Sequence, residues 1–269
     1  MQDNRKTGIG GKVLLALTMF FFYLPILYVV VFSFNDSKSL SKFTGFSLQW
    51  YEKMFANRTI MESIYYTVVI AVIATVVSTI VGTIAAIGLS KSRRIVKELT
   101  LQINNLPMMN PEIVTAIGLM LLFTSLNIKT GFMTLLLAHI AFCIPYVMLS
   151  IMPKLRQMDP NLPEAALDLG ATPWQALTKV IVPEIMPGIV SGALIAFTMS
   201  FDDFVISFFT TGPGINNISI YVYSMYKRIN PSINALSTII VVMITVVLIL
   251  VNVIPMIKER KLKKNEKMD

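Results

Sequence analysis

The sequence is poor in charge and in cysteine, and both shortages narrow the possible classes of protein. Only 14% of its 269 residues are charged, whereas 55% are hydrophobic. A soluble domain usually carries about a quarter charged residues, so the composition argues against a water-soluble globule. Cys143 is the single cysteine, which excludes an intrachain disulfide framework and a metal site built from several cysteines.

Long apolar stretches are what the sequence has instead. A transmembrane helix needs about 20 mainly apolar residues to cross the hydrocarbon of a bilayer. Six stretches approach this length, and we predict an all-α, polytopic membrane protein in which residues 1–269 form one transmembrane domain. The predicted spans are 13–34, 64–89, 99–126, 132–152, 187–209 and 235–257. The first is too long for an ordinary signal peptide and lacks a small-residue cleavage site, so we expect it to remain as an anchor.

The third predicted span is the least regular of the six. Its apolar centre, residues 113–126, is too short to cross a bilayer, so the span has to begin near Leu99. It then contains two prolines, three asparagines and Glu112. Broken, polar backbone at membrane depth is tolerated only where it is buried in protein or lines a wet cavity. We therefore predict that this segment forms a wall of a pathway.

Basic residues outnumber acidic residues by 23 to 15, a balance that fits either nucleic-acid binding or membrane topology. Most of the Lys and Arg residues lie in alternate connecting segments, in the set that includes both termini. By the positive-inside rule, both termini then lie in the cytoplasm. The basic tail 258–269 directly follows the last span, so we interpret it as a topology signal and predict no nucleic-acid partner.

A cytoplasmic loop over residues 153–182 is predicted to fold as two short helices. Residues 164–169 have the composition of a short helix, and Gly170 suits the left-handed position that ends it. Thr172 is a good N-cap for a second helix over residues 174–179. An amphipathic connector without a partner is the alternative interpretation of this loop.

The same loop resembles the EAA loop of ABC-importer permeases. Glu164-Ala165-Ala166 is followed after three residues by Gly170 and, nine residues later, by Val180-Ile181-Val182-Pro183, where the family usually has Ile-x-Leu-Pro. The resemblance implies a type I ABC-importer permease fold in which this loop docks in a cleft of an ATPase subunit. The residues implied in this coupling are Glu164, Ala165, Ala166 and Gly170.

The sequence offers no site for chemistry of its own. It has no GxxxxGK[ST] phosphate loop, so ATP would have to be hydrolysed by another polypeptide. We therefore predict a transport subunit that is not an enzyme and needs no cofactor. His139 and Cys143 are one helical turn apart but have no acidic companion, so we expect helix packing there and no metal site.

Acidic residues in the predicted spans are candidates for function, because an ionisable group in hydrocarbon is costly. Glu112, Asp202 and Asp203 lie in spans without an accompanying Lys or Arg, whereas Glu184 lies near the cytoplasmic loop and is expected to be structural. Adjacent helical residues point about 100° apart, so at most one of the two aspartates can face a narrow pathway squarely. Carboxylates beside aromatic rings favour a cationic passenger. Bonding to a neighbouring helix or to a partner's basic residue is the alternative.

A narrower resemblance extends over most of the chain. Residues 200–213, 220–225 and 230–235 resemble the permeases of spermidine/putrescine ABC transporters, in particular the second, C-type permease, as do residues 49–51 and 109–114. This family commonly has Asp at the position of Glu112. The resemblance implies a polyamine passenger and the pathway residues Trp50, Glu112, Ser200, Asp202 and Asp203. Trp50 fits a membrane-interface role equally well, and Tyr223 and Tyr226 are weaker candidates.

The resemblance also implies an assembly in the inner membrane of a bacterium. Its members would be a second permease, two ATP-binding ATPase subunits and an extracytoplasmic polyamine-binding protein. Three alternatives stay open: an ABC importer for another cationic or neutral solute, an ion-coupled carrier that uses Asp202 and Asp203, and a structural membrane subunit. Ion-coupled carriers often contain inverted repeats, and the sequence has no convincing internal repeat.

Overall fold

The computed structural model describes residues 9–39, 41–225, 230–246 and 249. These residues are mainly helical, and the described part of the chain has no β-strand beyond an isolated bridge between Asn35 and Phe46. They form two compact units. One contains the described residues up to Met61 and from Met225 onwards, and the other is Glu62–Ser224.

The helices follow one another along the chain with short connections. They are α1 (Ile9–Phe32), α2 (Gln49–Ala56), α3 (Arg58–Ser90), α4 (Arg94–Met109), α5 (Glu112–Ser125), α6 (Phe132–Gln157), α7 (Leu162–Asp168), α8 (Pro173–Ala176), α9 (Val182–Phe201), α10 (Val205–Thr210), α11 (Ile218–Met225) and α12 (Ser232–Val246). A π-helical turn, Leu177–Ile181, joins α8 to α9.

Four helical stretches among the described residues are long and apolar enough to cross a membrane. They are Gly10–Phe32, Arg58–Ser90, Phe132–Gln157 and Pro173–Phe201, and α4 with α5 would be a fifth if the bent pair is one span. The predicted all-α membrane fold is therefore confirmed. The sixth predicted span extends beyond the described residues, which include α12 as its first part. Six spans and cytoplasmic termini stay predictions.

The third predicted span is broken, as its polar residues and prolines indicate. Helices α4 and α5 meet at an angle of 105°. Asn110 at the break is extended, with a ψ of 149°, which is the conformation favoured before a proline. Pro111 then precedes α5, whose first residue is Glu112.

The fifth predicted span, 187–209, is not one continuous helix, and this corrects the prediction. Helix α9 ends at Phe201, residues 202–204 are not helical, and α10 begins at Val205. Asp202 and Asp203 interrupt the apolar sequence at the break, and the apolar sequence resumes at Phe204. Side chains at the break bind backbone groups that a continuous helix would use internally, as described below.

Helices α6 and α9 pack closely through small residues. Gly188, Gly192 and Ala196 repeat every four residues and so share one face of α9. A Cβ atom on Gly192 would lie 3.2 Å from the Cα of Val147 on α6, and the Cys143 thiol lies 3.4 Å from the carbonyl oxygen of Ala196. Such stripes of small residues let membrane helices approach each other's backbone. This pair forms the centre of the 62–224 unit.

We expect Gly192→Val to lower the free energy of unfolding by about 1–3 kcal/mol, because the added side chain would overlap the backbone of α6. The measurement is thermal unfolding of the purified chain in detergent. Gly118→Val on α5 is the matched control, since a Cβ there has no neighbouring heavy atom within 4 Å. Equal stability of the two variants would contradict the close packing.

Candidate functional site

Two consecutive aspartates lie in the break between α9 and α10. Asp202 is the C-cap residue of α9, and its amide donates to the carbonyl oxygen of Thr198 at 3.3 Å. The carboxylate of Asp203 accepts hydrogen bonds from the amides of Ile206 at 3.2 Å and Ser207 at 2.7 Å. A carboxylate at this place satisfies amides that the first turn of α10 leaves without a helical partner, and the helix dipole favours it.

The two aspartates have opposite environments. Asp202 is exposed, whereas Asp203 is only 5% exposed. Besides the two amides, the Asp203 carboxylate lies 3.4 Å from Nε2 of His139, and its backbone carbonyl accepts from the Asn217 side chain at 3.0 Å. From the sequence we expect at most one of the pair to face a pathway squarely, and capping a helix is one of the roles open to the other. The structure makes Asp203 the residue that caps α10, whereas the side chain of Asp202 is exposed. A pathway role for Asp202 stays a prediction.

Glu112 joins this pair from a different part of the chain. It is the first residue of α5, partly buried, and lies near enough to Asp202 and Asp203 for its carboxyl group to interact electrostatically with theirs. The N-terminus of α5 favours a negative charge there, and α5 packs against α10. Three predicted pathway residues are thus brought together by the break before α5 and the break before α10.

The three carboxyl groups have no basic partner from Lys or Arg among the residues that the structure describes. Carboxylates that lie so close repel one another, and a cation between them relieves the repulsion. Two unit charges about 4 Å apart attract by about 4 kcal/mol where the effective dielectric constant is about 20. The arrangement therefore favours a cation and disfavours an anion.

Three aromatic rings pack together at the break that contains Asp202. The ring centroid of Tyr223 lies 4.8 Å from that of Phe204 and 5.8 Å from that of Phe208, and the two phenylalanines are 5.5 Å apart. Ser219 at the start of α11 donates to the backbone carbonyl of Asp202 at 3.3 Å, which keeps α11 beside the break. Aromatic faces attract ammonium groups. The i, i+4 spacing of the two phenylalanines was a sequence signal that the prediction did not use.

Ser200 lies close to the acidic residues in sequence but is buried. Its hydroxyl is 2.7 Å from Nδ1 of His139, and Ser207, which the sequence did not single out, is 2.9 Å from Nε2 of the same ring. The Asn217 side chain donates to the Ser207 hydroxyl at 2.7 Å. His139 is therefore a hydrogen-bonded residue within the helix packing that the sequence predicted for it. The described residues contain no cluster of His, Cys, Asp and Glu suited to a metal ion.

The EAA-like loop has the turn that its glycine predicts. Gly170 has a φ of 85°, and the amide of Ala171 donates to the carbonyl of Ala166 at 3.0 Å while that of Gly170 donates to Leu167 at 2.9 Å. These two bonds form a Schellman motif. Thr172 then caps the next helix, accepting from the Gln175 amide at 3.3 Å.

The second predicted helix, 174–179, differs from the structure. Helix α8 spans only Pro173–Ala176, and the π-helical turn carries the chain directly into α9. The loop is therefore continuous in helical backbone with α9. Single-turn π-helical segments often occur at functional sites.

Comparison with known proteins identifies the family. Residues 78–264 match the family described as binding-protein-dependent transport system inner membrane component. The chain belongs to this family. It is therefore an inner-membrane permease subunit of an ABC importer, with several membrane-crossing helices.

Curated relatives extend over most of the chain. It is 38% identical over 224 residues to the spermidine/putrescine transport system permease protein PotC of Haemophilus influenzae, which covers 83% of this chain and 87% of the relative. It is 35% identical to PotC of Escherichia coli, with 85% and 87% covered. The putrescine transport system permease protein PotI of Escherichia coli is 37% identical, with 85% and 84% covered.

Solved structures show the same fold at low identity. A bacterial ABC transporter involved in the import of the acidic polysaccharide alginate has a chain with a TM-score of 0.72 and 18% identity, and the match covers 95% of this permease and 97% of that chain. A second structure, an alginate ABC transporter in complex with an alginate-bound periplasmic protein, matches with a TM-score of 0.69 and 15% identity, covering 90% and 91%. At this identity the likeness concerns the fold alone.

The EAA-like loop of the permease exposes large apolar side chains. Leu169 is 89% exposed and Trp174 is 71% exposed, and Glu164 and Ala165 are also exposed. Large apolar side chains that are exposed on a loop are candidates for contact with another protein.

Trp50 lies in the other compact unit and is buried there. Its indole N–H donates to the backbone carbonyl of Asn35 at 2.6 Å, and Nζ of Lys53 lies 4.3 Å from the ring centroid. The indole thus holds the segment after α1 against α2. Its predicted pathway role remains a prediction, and Tyr226 lies outside the described residues.

Replacing the capping aspartate should cost more stability than replacing its neighbour. We expect Asp203→Ala to lower the free energy of unfolding by about 1–3 kcal/mol, because two buried amides lose their acceptor. Asp202→Ala, the matched control, should change it by less than about 0.5 kcal/mol, since its side chain is exposed. Thermal unfolding in detergent measures both. A larger effect at Asp202 would contradict the assignment of Asp203 as the cap.

Proposed function

We propose that this permease forms half of the translocation pathway of an ATP-driven importer of polyamines such as spermidine and putrescine. The observation that carries the proposal is the group of three carboxyl groups, Glu112, Asp202 and Asp203, with no Lys or Arg paired to them in the described part of the chain. A polyamine is a flexible chain with several positive charges at neutral pH. Closely spaced carboxylates suit such a passenger.

The alginate importer sharpens this argument. That transporter is involved in the import of an acidic polysaccharide, yet its chain shares the fold of this permease. The fold therefore does not determine the charge of the passenger, which depends on the side chains along the path. Acidic side chains would repel a polyanion, and a neutral solute would not need them.

The structure suggests different roles for the predicted pathway residues. Asp202 and Glu112 contact the passenger's ammonium groups, and the rings of Phe204, Phe208 and Tyr223 provide cation–π contacts beside Asp202. Asp203 is buried, and its carboxylate contributes electrostatic attraction to the passenger. Contacts of this kind have to be individually weak, because a deep well would trap the passenger.

Ser200 and Trp50 have their polar groups occupied within the protein. We propose that Ser200 supports the pathway indirectly, because its bond to His139 fixes the end of α9. For Trp50, the resemblance to polyamine permeases supports a place along the route, with its ring held in position by the bond to Asn35.

The assembly follows the family. A second permease forms the other half of the pathway, two ATPase subunits bind on the cytoplasmic side, and an extracytoplasmic binding protein delivers the polyamine. Six spans with both termini in the cytoplasm place the EAA-like loop at the ATPases. Glu164, Ala165, Ala166 and Gly170 form the docking surface together with Leu169 and Trp174, whose exposure supports this role. Closure of the ATPases moves the loop, and α9 moves with it.

Removal of the exposed carboxylate tests the polyamine proposal. We expect Asp202→Asn to reduce uptake of radiolabelled spermidine about tenfold at low concentration, because one attractive charge is lost. The measurement is uptake by cells that carry the whole transporter, normalised to the amount of assembled complex.

Glu98→Gln is the control for this test, since it removes the same charge from an exposed pair with Arg94 on α4. The control should leave uptake unchanged. Spermidine uptake that is equal with and without the permease would reject the proposed function. A loss in Asp202→Asn that follows loss of assembly would favour a structural role.

The docking role of the loop has its own test. We expect Trp174→Ala to weaken ATPase association about tenfold, since burial of a large aromatic side chain dominates many interfaces. Co-purification of the ATPases with the permease measures this. Phe55→Ala is the control, because Phe55 is a similarly exposed aromatic residue, at 61%, in α2. Normal association in Trp174→Ala would contradict the assigned surface.

A further inference from the structure

A cluster of buried polar side chains surrounds the one histidine of the chain. His139 on α6 is 1% exposed, and the side chains that contact it, on Ser200, Asp203 and Ser207, are also buried. Asn217, which bonds to Ser207, is buried as well. Polar groups are costly to bury, and their cost is offset only where all of them are paired.

The two ring nitrogens of His139 bond on opposite sides of the helix break. Nδ1 lies 2.7 Å from the hydroxyl of Ser200, in the last turn of α9. Nε2 lies 2.9 Å from the hydroxyl of Ser207 in α10 and 3.4 Å from the carboxylate of Asp203. The flat imidazole thus bridges two helices that have no continuous backbone ladder between them.

The two sides of the break differ in how they are supported. Before the break, α9 is held to α6 by the small-residue packing around Gly192. After it, α10 has six residues, and so short a helix has little stability of its own. It packs against α5, and its last residue is bound to α6 by the Thr134 hydroxyl, which donates to the carbonyl of Thr210 at 2.9 Å. The bonds of Nε2 hold the other end of α10, at Asp203 and Ser207, to α6. Asn217 extends this anchor to α11, since its side chain bonds to Ser207 and accepts from the amide of Ile220 at 2.9 Å.

We propose that His139 is a positioning residue for transport: it fixes the two halves of the broken span to α6 and so holds Asp202, Glu112 and the flanking aromatic rings in their places. The inference rests on the proposed function, because it assigns the acidic site to the passenger. It makes the Nε2 side of the ring more important than the Nδ1 side. The bonds of Nε2 tie the start of α10, next to Asp203, to α6, whereas α9 packs on α6 along several turns.

Two amide variants separate the sides of the ring. The side-chain nitrogen of Gln occupies the place of Nε2, and that of Asn occupies the place of Nδ1. We expect His139→Gln to keep the apparent KM for spermidine within about twofold of the unchanged permease, and His139→Asn to raise it about fivefold to tenfold, with little change in the maximal rate per complex. Uptake is measured with the complete transporter.

Cys143→Ala is the control for packing alone, because Cys143 is equally buried one turn along α6 and its thiol bonds to the backbone carbonyl of Ala196 in α9. A lower amount of complex is the expected effect of lost packing, whereas KM should be unchanged. Equal KM values for His139→Gln and His139→Asn would overturn the inference. The inference would also be overturned if all three variants lost uptake only in proportion to the amount of assembled complex.

A second measurement does not depend on the passenger. Amide hydrogen exchange over residues 205–211, followed by mass spectrometry of the complex in lipid nanodiscs, reports on the anchoring of α10. We expect exchange in His139→Asn to be about tenfold faster than in His139→Gln. Equal exchange would overturn the inference even if spermidine were transported. If the unchanged complex took up no spermidine, the proposed function would fail, and this comparison would still decide whether His139 anchors α10.

Discussion

The helix break at residues 202–204 depends on a buried carboxylate, and most of the candidate site depends on that break. Backbone amides at membrane depth need hydrogen-bond acceptors, because no bulk water is there to supply them. Asp203 accepts from the first amides of α10, and Asn217 in turn donates to the carbonyl of Asp203. Because Asp203 is committed in this way, its neighbour Asp202 is left exposed at the end of α9.

A second break, before α5, completes the acidic site. Helix α4 ends shortly before Pro111, and Glu112 is the first residue of α5. The N-terminus of α5 favours the negative charge of Glu112. Both breaks thus bring carboxyl groups to helix ends and leave the closely packed α6–α9 pair intact. Under the proposed function, a few side chains at the breaks set the charge of the passenger, while the packed scaffold does not depend on it.

Features set by local sequence were predictable. The length of the apolar stretches indicated an all-α membrane protein, the prolines indicated a broken third span, and Gly170 indicated the left-handed turn that ends α7. The family and the acidic residues followed from local strings. Each of these depends on residues within one helix or one turn, so the sequence displays the cause directly.

Features set by distant partners were not predictable. Asp202 and Asp203 interrupt the apolar pattern between α9 and α10, but two acidic residues alone do not show that a helix ends there. The break depends on the partners of Asp203, which the local sequence does not reveal. His139 contacts Ser200 and Ser207, which are 61 and 68 positions away along the chain. Because the sequence does not show how α6 packs on α9, it assigned the histidine to helix packing in general and did not reveal these partners. The burial of Ser200 and Trp50 likewise depends on partners that spacing does not reveal.

Uptake by proteoliposomes that contain the permease, its partner permease, the ATPases and the binding protein tests whether a cation with several amines passes this acidic site at the expense of ATP. We expect ATP-dependent uptake of radiolabelled spermidine that excess putrescine inhibits and an uncharged diol of similar length does not. Uptake driven by an ion gradient without ATP, or equal inhibition by the diol, would contradict the proposed function.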